Sequence, residues 1–178
     1  ALIANVTKGD QEPAQWFGRP GIAAAPTMDT YPDLGIKSDP EGAKAELQSY
    51  LDEKGLTADQ LDLTLMFNTS SGHQRIAEAI QQMWKGDLGI EATLVNQEWK
   101  VFLDTQDTLS YQVSRSGWIG DYIDPNTFLE MWKTGDGNND TGWSNAEYDR
   151  LIDQARITPD QNARNELFQQ AEAILLDD

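Results

Sequence analysis

"LDLTLMFNTSSGHQRIAEAIQQMWKGDLGIEATLVN", residues 61–96, changes its apolar period twice. Residues 61–68 alternate and then run continuously apolar, as a strand buried on both faces does. The spacing then turns helical, with Ile76, Ala77, Ile80, Met83 and Trp84 on one face and Gly86 as the expected stop. Residues 89–96 favour extended backbone again through Ile90, Thr93 and Val95. Beyond them, 97–108 predicts a short helix with Trp99, Phe102 and Leu103 inward, and "YQVSRSGWI", 111–119, a third strand. Connections of these lengths suit parallel crossovers, so residues 61–118 predict a βαβαβ core. In such sheets ligands bind beyond the carboxyl ends of the strands. Those ends are Asn68-Thr69-Ser70, Asn96-Gln97 and the stretch from Gly117 to Tyr122.

The flanks are of a different kind. Residues 16–40 hold four of the seven prolines and no helical period, which predicts a long irregular segment. Ser38-Asp39-Pro40 is a helix start, with Ala43, Leu47, Tyr50 and Leu51 as the apolar stripe and Gly55 as the stop. From 125 to 178 the pattern is helical. One helix starts at Asp124-Pro125. A second carries Tyr148, Leu151, Ile152 and Ala155. A third follows Thr158-Pro159-Asp160-Gln161 with Ala163, Leu167, Ala171, Ile174 and Leu175 on its stripe. "ALIANVTKGD" lacks the basic start and apolar core of a signal peptide and reads as a helix entered partway through. The expectation is a piece of a longer chain.

Composition narrows the function classes. Thirteen Lys and Arg against thirty Asp and Glu give a net charge of −17, which repels nucleic acid and anionic membranes. With no cysteine and one histidine, His73, thiolate catalysis, disulfides and multi-His metal centres are excluded. Residues 136–147, "DGNNDTGWSNAE", approach calcium-loop spacing, but Thr141 stands where the turn wants glycine. Ser144 to Glu147 also forms a helix-capping box, so an ordered polar loop is expected there.

"SGWIGDYIDPNTF", residues 116–128, sets two carboxylates among aromatic and aliphatic side chains. Asp124, before a proline that opens a helical run, is an N-cap. Asp121 has no such local use, and three remain open to it: an ion pair with Arg115, a turn cap, or a ligand. A glycosidase-like acid–base pair is poorly served, since one of the two carboxylates already caps a helix. Trp99 and Trp118 each lie just past a strand end, where an aromatic wall can line a cleft.

"NQEWKVFLDT", "VSRSGWIGDYIDPNTFLEMW" and "GNNDTGWSNAEYDRLI", with "FNTSSGHQRIAEAIQQMWKGDLGI" before them, resemble the periplasmic oligopeptide-binding proteins. These are the peptide branch of the solute-binding receptors that serve ABC importers. The resemblance runs across essentially the whole chain. It implies an α/β fold, one lobe of a type II periplasmic binding protein with a mixed, largely parallel sheet flanked by helices. It also implies that residues 1–178 are a single ligand-binding lobe of a two-lobed receptor, here without its second lobe.

By the same resemblance, Asp121 in the "GW-x-x-DY" stretch holds a peptide's α-ammonium group, and the backbone of Gly117 to Ile119 pairs with the peptide main chain. Arg115 and His73 resemble positions that receive the peptide carboxylate, and Trp99 and Trp118 resemble pocket walls. After "FLDT" this chain has Gln106 and Asp107, where oligopeptide members can carry a basic residue. The implied partners are an oligopeptide and a membrane permease, with no cofactor and no catalysis. The implied place is the periplasm, or the cell surface as a lipoprotein. The same receptor class also serves dipeptides, oligosaccharides, nickel chelates and haem.

Overall fold

Thr64–Asn68 forms β1, and its three middle residues, Leu65, Met66 and Phe67, are all buried, so both faces of this strand are covered. In the computed structural model, which describes residues 1–19, 21–22 and 35–177, β1 is the central strand of a three-stranded sheet. Thr93–Gln97 (β2) pairs with it in parallel, Thr64 opposite Thr93 through Asn68 opposite Gln97. Val113–Ser114 (β3) pairs in parallel on its other side, Leu65 opposite Val113. The third strand is shorter than the pattern suggests. Arg115 N–H still reaches the Met66 carbonyl at 2.8 Å, after which the chain leaves the sheet.

The described chain divides into two compact units, Ala1–Pro13 with Ser38–Gly117, and Ala14–Lys37 with Trp118–Asp178. In the first, Pro40–Lys54 (α1), Ser71–Leu88 (α2) and Trp99–Asp107 (α3) accompany the sheet. Ala77, Ile80 and Trp84 of α2 pack on Leu65, Phe67, Leu94 and Val113, which supplies one hydrophobic core. From α3, Gln106 is buried and its amide donates to Ser114 Oγ at 3.2 Å. That bond ties the end of α3 to the last residue of β3. At the opposite end, Gln112 Oε1 accepts from the Thr64 N–H at 2.6 Å and locks β3 to the start of β1.

The α/β expectation holds, and the described sheet is wholly parallel. Helix boundaries shift where two candidate residues compete. Helix α2 runs through Gly86 and stops at Gly89, which takes the left-handed conformation and donates to Lys85 O. The α1 stripe is mostly solvent-facing: Leu51 alone is buried, and the Tyr50 ring lies beneath Lys54 Nζ. Phe102 is buried, whereas Trp99 and Leu103 are exposed, so one of the three residues expected to face inward on α3 does so fully.

The second unit is helical: Asn126–Leu129 (α4) and a 3₁₀ turn Glu130–Trp132, then Ala146–Ile157 (α5) and Gln161–Asp177 (α6). Leu129, Tyr148, Leu151, Ile152, Ala155, Phe168 and Ala171 form its core. Tyr148 donates its hydroxyl to the Leu129 carbonyl at 2.6 Å, and burial pushes its phenol well above the ordinary range. The caps differ from the expected ones by one or two residues. Asn145, not Ser144, accepts from the Glu147 and Tyr148 N–H groups, leaving Glu147 to pair with Arg150. Asp160, not Thr158, accepts from Ala163 N–H. On α6, Ala171 is buried and Leu167, Ile174 and Leu175 pack against the core as expected, whereas Ala163 is exposed and Phe168 and Glu172 join the buried face. Glu172 is 1% exposed, and its carboxylate receives the Gly18 N–H at 2.7 Å. Burial raises its pKa, against the lowering effect of the Gly18 and Phe17 N–H groups. Most of the segment expected to be irregular, residues 20 and 23–34, lies outside the described residues.

Helix α3 closes in a two-bond motif: Ser110 N–H to Thr105 O at 3.0 Å and Leu109 N–H to Gln106 O at 2.9 Å. Leu109 is left at φ +52, where a side chain costs about 1–2 kcal/mol and glycine is usual. Leu109→Gly is expected to stabilise the protein by about 0.5–1 kcal/mol after the glycine's own entropy loss, read as a higher melting temperature. An unchanged or lower one contradicts the strain.

Candidate functional site

Residues 117–125 cross from the sheet to the helices without regular structure, and buried Thr127 organises them. Its carbonyl accepts the Trp118 indole N–H at 2.7 Å, and its hydroxyl accepts the Asp121 backbone N–H at 3.0 Å. Gly120 is needed at this point, because a Cβ there would come within 2.9 Å of the Thr127 methyl and 2.8 Å of the Phe128 ring. Tyr122 donates its hydroxyl to Glu130 at 2.6 Å and accepts from the Asn126 amide.

Asp124 completes the frame. Its Oδ1 accepts the Asn126 N–H at 2.9 Å, which is the expected cap. It also receives two hydrogen bonds from the Arg164 guanidinium, at 2.6 and 2.8 Å, and Arg164 in turn lies over the Phe168 ring. Burial alone would raise the Asp124 pKa, but the Arg164 bonds, the Asn126 N–H and the Arg164 charge hold it below the usual carboxylate range. Arg164 stands forty residues from its partner, and no local pattern announces the pair.

Asp121 is exposed, and among the described residues its carboxylate has neither a hydrogen-bond nor an ion-pair partner. The two structural uses open to it, an ion pair and a turn cap, are both absent there. Ile119, beside it, is almost wholly exposed, and Trp118 is partly so.

In the first unit, the order β2-β1-β3 means that the chain leaves β1 to one side and returns to the other. That is a switch point, with the crevice at the carboxyl ends of β1 and β3. His73 lies in the first turn of α2, just after β1, and Arg115 just after β3, with Gly117 two residues on. Arg115 is half-buried, has no ion-pair partner within its unit, and burial pulls its pKa down, though guanidinium remains a cation. The His73 Nδ1 is enclosed with no partner among the described residues, which leaves Nε2 as the reachable edge. Gln97, at the end of β2, has an equally enclosed and unpartnered Oε1, a feature that strand patterning does not signal. Trp99 is 54% exposed and stacks on Phe102 with ring centroids 5.8 Å apart.

No group of three or more acidic or histidine residues is placed to hold a metal ion among the described residues. The 136–147 loop satisfies itself: Asn139 donates to the carbonyls of Trp132, Lys133 and Trp143, and Asp136 accepts from Asn138. No helix of the described residues is long and apolar enough to cross a membrane.

Residues 1–140 match the family described as bacterial extracellular solute-binding proteins, family 5 Middle. The oligopeptide-binding protein OppA of Bacillus subtilis is 38% identical over 100% of this chain. The dipeptide-binding protein DppE of the same organism is 39% identical over 99%. The solved structure of the Escherichia coli murein tripeptide binding protein MppA superposes with a TM-score of 0.84 at 32% identity, covering 99% of this chain and 34% of that one. The chain spans about a third of the length of the curated relatives it matches.

The Asp124–Arg164 pair gives a pH prediction. A carboxyl with a depressed folded pKa stabilises above its unfolded value, and that stability is lost as pH falls through the folded one. Asp124→Asn is expected to cost about 2 kcal/mol near pH 7, and the gap to wild type should close below about pH 4. Thermal unfolding of both proteins across pH checks this; a variant as stable as wild type at pH 7 contradicts it.

Proposed function

The chain belongs to the bacterial extracellular solute-binding proteins of family 5, binding proteins rather than enzymes, and from that premise we propose that it forms part of one lobe of an ABC-importer receptor for oligopeptides. In the whole receptor, two lobes close over a peptide and present the closed form to a membrane permease. The receptor works outside the cytoplasmic membrane, in the periplasm or as a cell-surface lipoprotein.

Asp121 takes the peptide's α-ammonium group, and the backbone of Gly117 to Ile119 pairs with its main chain in sequence-independent fashion. Arg115 and His73 take the carboxylate end, and Trp99 and Trp118 wall the side-chain pockets. The observation that carries this proposal is the Asp121 carboxylate, exposed and unpartnered among the described residues, on a backbone that Thr127 already holds. A group fixed before binding loses little freedom when the ligand arrives. The Arg115 cation, with no ion-pair partner among the described residues, is a second support, unusual in a chain of net charge −17.

Identities of 38% and 39% to proteins named for oligopeptides and for dipeptides do not separate those lengths. Asp121 recognises the amino terminus that both share. A receptor for sugars, haem or a nickel chelate has no comparable need of a lone carboxylate among aromatic and aliphatic groups.

Calorimetry on the full-length receptor, with a peptide and its N-acetylated twin, tests the assignment. Loss of the charge-assisted bond should weaken binding by about 10- to 100-fold, since such bonds contribute about 1.5–3 kcal/mol net. Equal affinities would remove Asp121 from the role.

A further inference from the structure

Residues 118–124 alternate in a way that the recognition of an amino terminus does not require. Three even-numbered side chains are tethered among the described residues, Trp118 to Thr127 O, Tyr122 to Glu130 and Asp124 to Arg164, and at Gly120 there is no room for a side chain. The odd-numbered side chains are not tethered there. Ile119 is 90% exposed and Ile123 is 92% exposed, more than any other large apolar residue described, with the exposed Asp121 carboxylate between them. This short stretch therefore offers solvent an isoleucine, a carboxylate and a second isoleucine, interleaved with three side chains that are bonded to the helical unit and with the Asp121 N–H held by Thr127.

The chemistry complementary to that trio is a cation beside an apolar group. An anionic group is repelled by Asp121, and an uncharged polar group gains nothing from covering the isoleucines. The first residue of a peptide carries its α-ammonium and its side chain on the same carbon. An apolar first residue therefore meets the carboxylate and covers isoleucine surface in one placement. We propose that Ile119 and Ile123 determine specificity, selecting peptides whose first side chain is apolar. This inference rests on the oligopeptide reading above and adds the class of peptide.

The test uses the full-length receptor, its Ile119→Ser/Ile123→Ser double variant, and Ile157→Ser as a control at an exposed isoleucine on α5. Affinities are measured for Leu-Ala-Ala, Ser-Ala-Ala and N-acetylated Leu-Ala-Ala. In wild type and the control, Leu-Ala-Ala should bind about tenfold tighter than Ser-Ala-Ala, and in the double variant the ratio should fall to about twofold or less. Acetylation should weaken binding in all three proteins. A wild-type ratio near one overturns the inference. So does a ratio that the double variant leaves unchanged, the result expected if another part of the receptor covers the isoleucines. In both cases an intact acetylation penalty leaves the oligopeptide reading standing. Failure to bind any of the peptides, or indifference to acetylation, overturns that reading and this inference with it.

Discussion

Buried Thr127 is the interaction on which the ligand-facing stretch depends. One residue supplies a carbonyl to the Trp118 indole, a hydroxyl to the Asp121 N–H and a methyl that admits only glycine at 120. A hydroxyl and carbonyl in such surroundings are held by packing, so the groups they bond are held too. Asp124 and Arg164 fix the far end of the same stretch to α6. The result is an irregular segment held at both ends, from which Asp121 projects with its carboxylate unused among the described residues.

The two acidic residues of this stretch show how environment divides identical chemistry. Asp124 is half-buried, doubly bonded to a guanidinium and bonded to a helix N–H, and its charge belongs to the fold. Asp121, three residues earlier, is exposed and makes none of these contacts among the described residues. In the first unit the parallel strands do the corresponding work. Their shared direction brings the residues after β1 and β3 to one edge of the sheet, and the reversal of strand order opens that edge.

Much of this was legible in the sequence, and the failures share a cause. The period changes across 61–96 identified β1, α2 and β2, and Asp124 before Pro125 identified a cap, because both signals are local. Arg164 was not legible as the partner of Asp124, since nothing nearby marks a contact made forty residues away. Gly86 against Gly89 and Ser144 against Asn145 were choices between neighbours of equal propensity, decided by which residue the packed helix brings to its end. The stripe of α1 failed because an apolar face says what a helix is able to bury, and among the described residues little covers it. Asp121, Trp99 and Trp118 stood out by their places near strand ends and their roles came from resemblance to a family, whereas the tethered-and-free alternation of 118–124 depends on contacts with residues further along the chain.

The central claim is that the carboxylate of Asp121 anchors the ligand. Its most direct test is a crystal structure of the full-length receptor with a bound peptide. The account predicts the peptide's α-ammonium nitrogen about 2.7–2.9 Å from an Asp121 carboxylate oxygen, with the Thr127 bonds to Trp118 and Asp121 unchanged. An amino terminus held by any other group, with Asp121 still facing solvent, would contradict it.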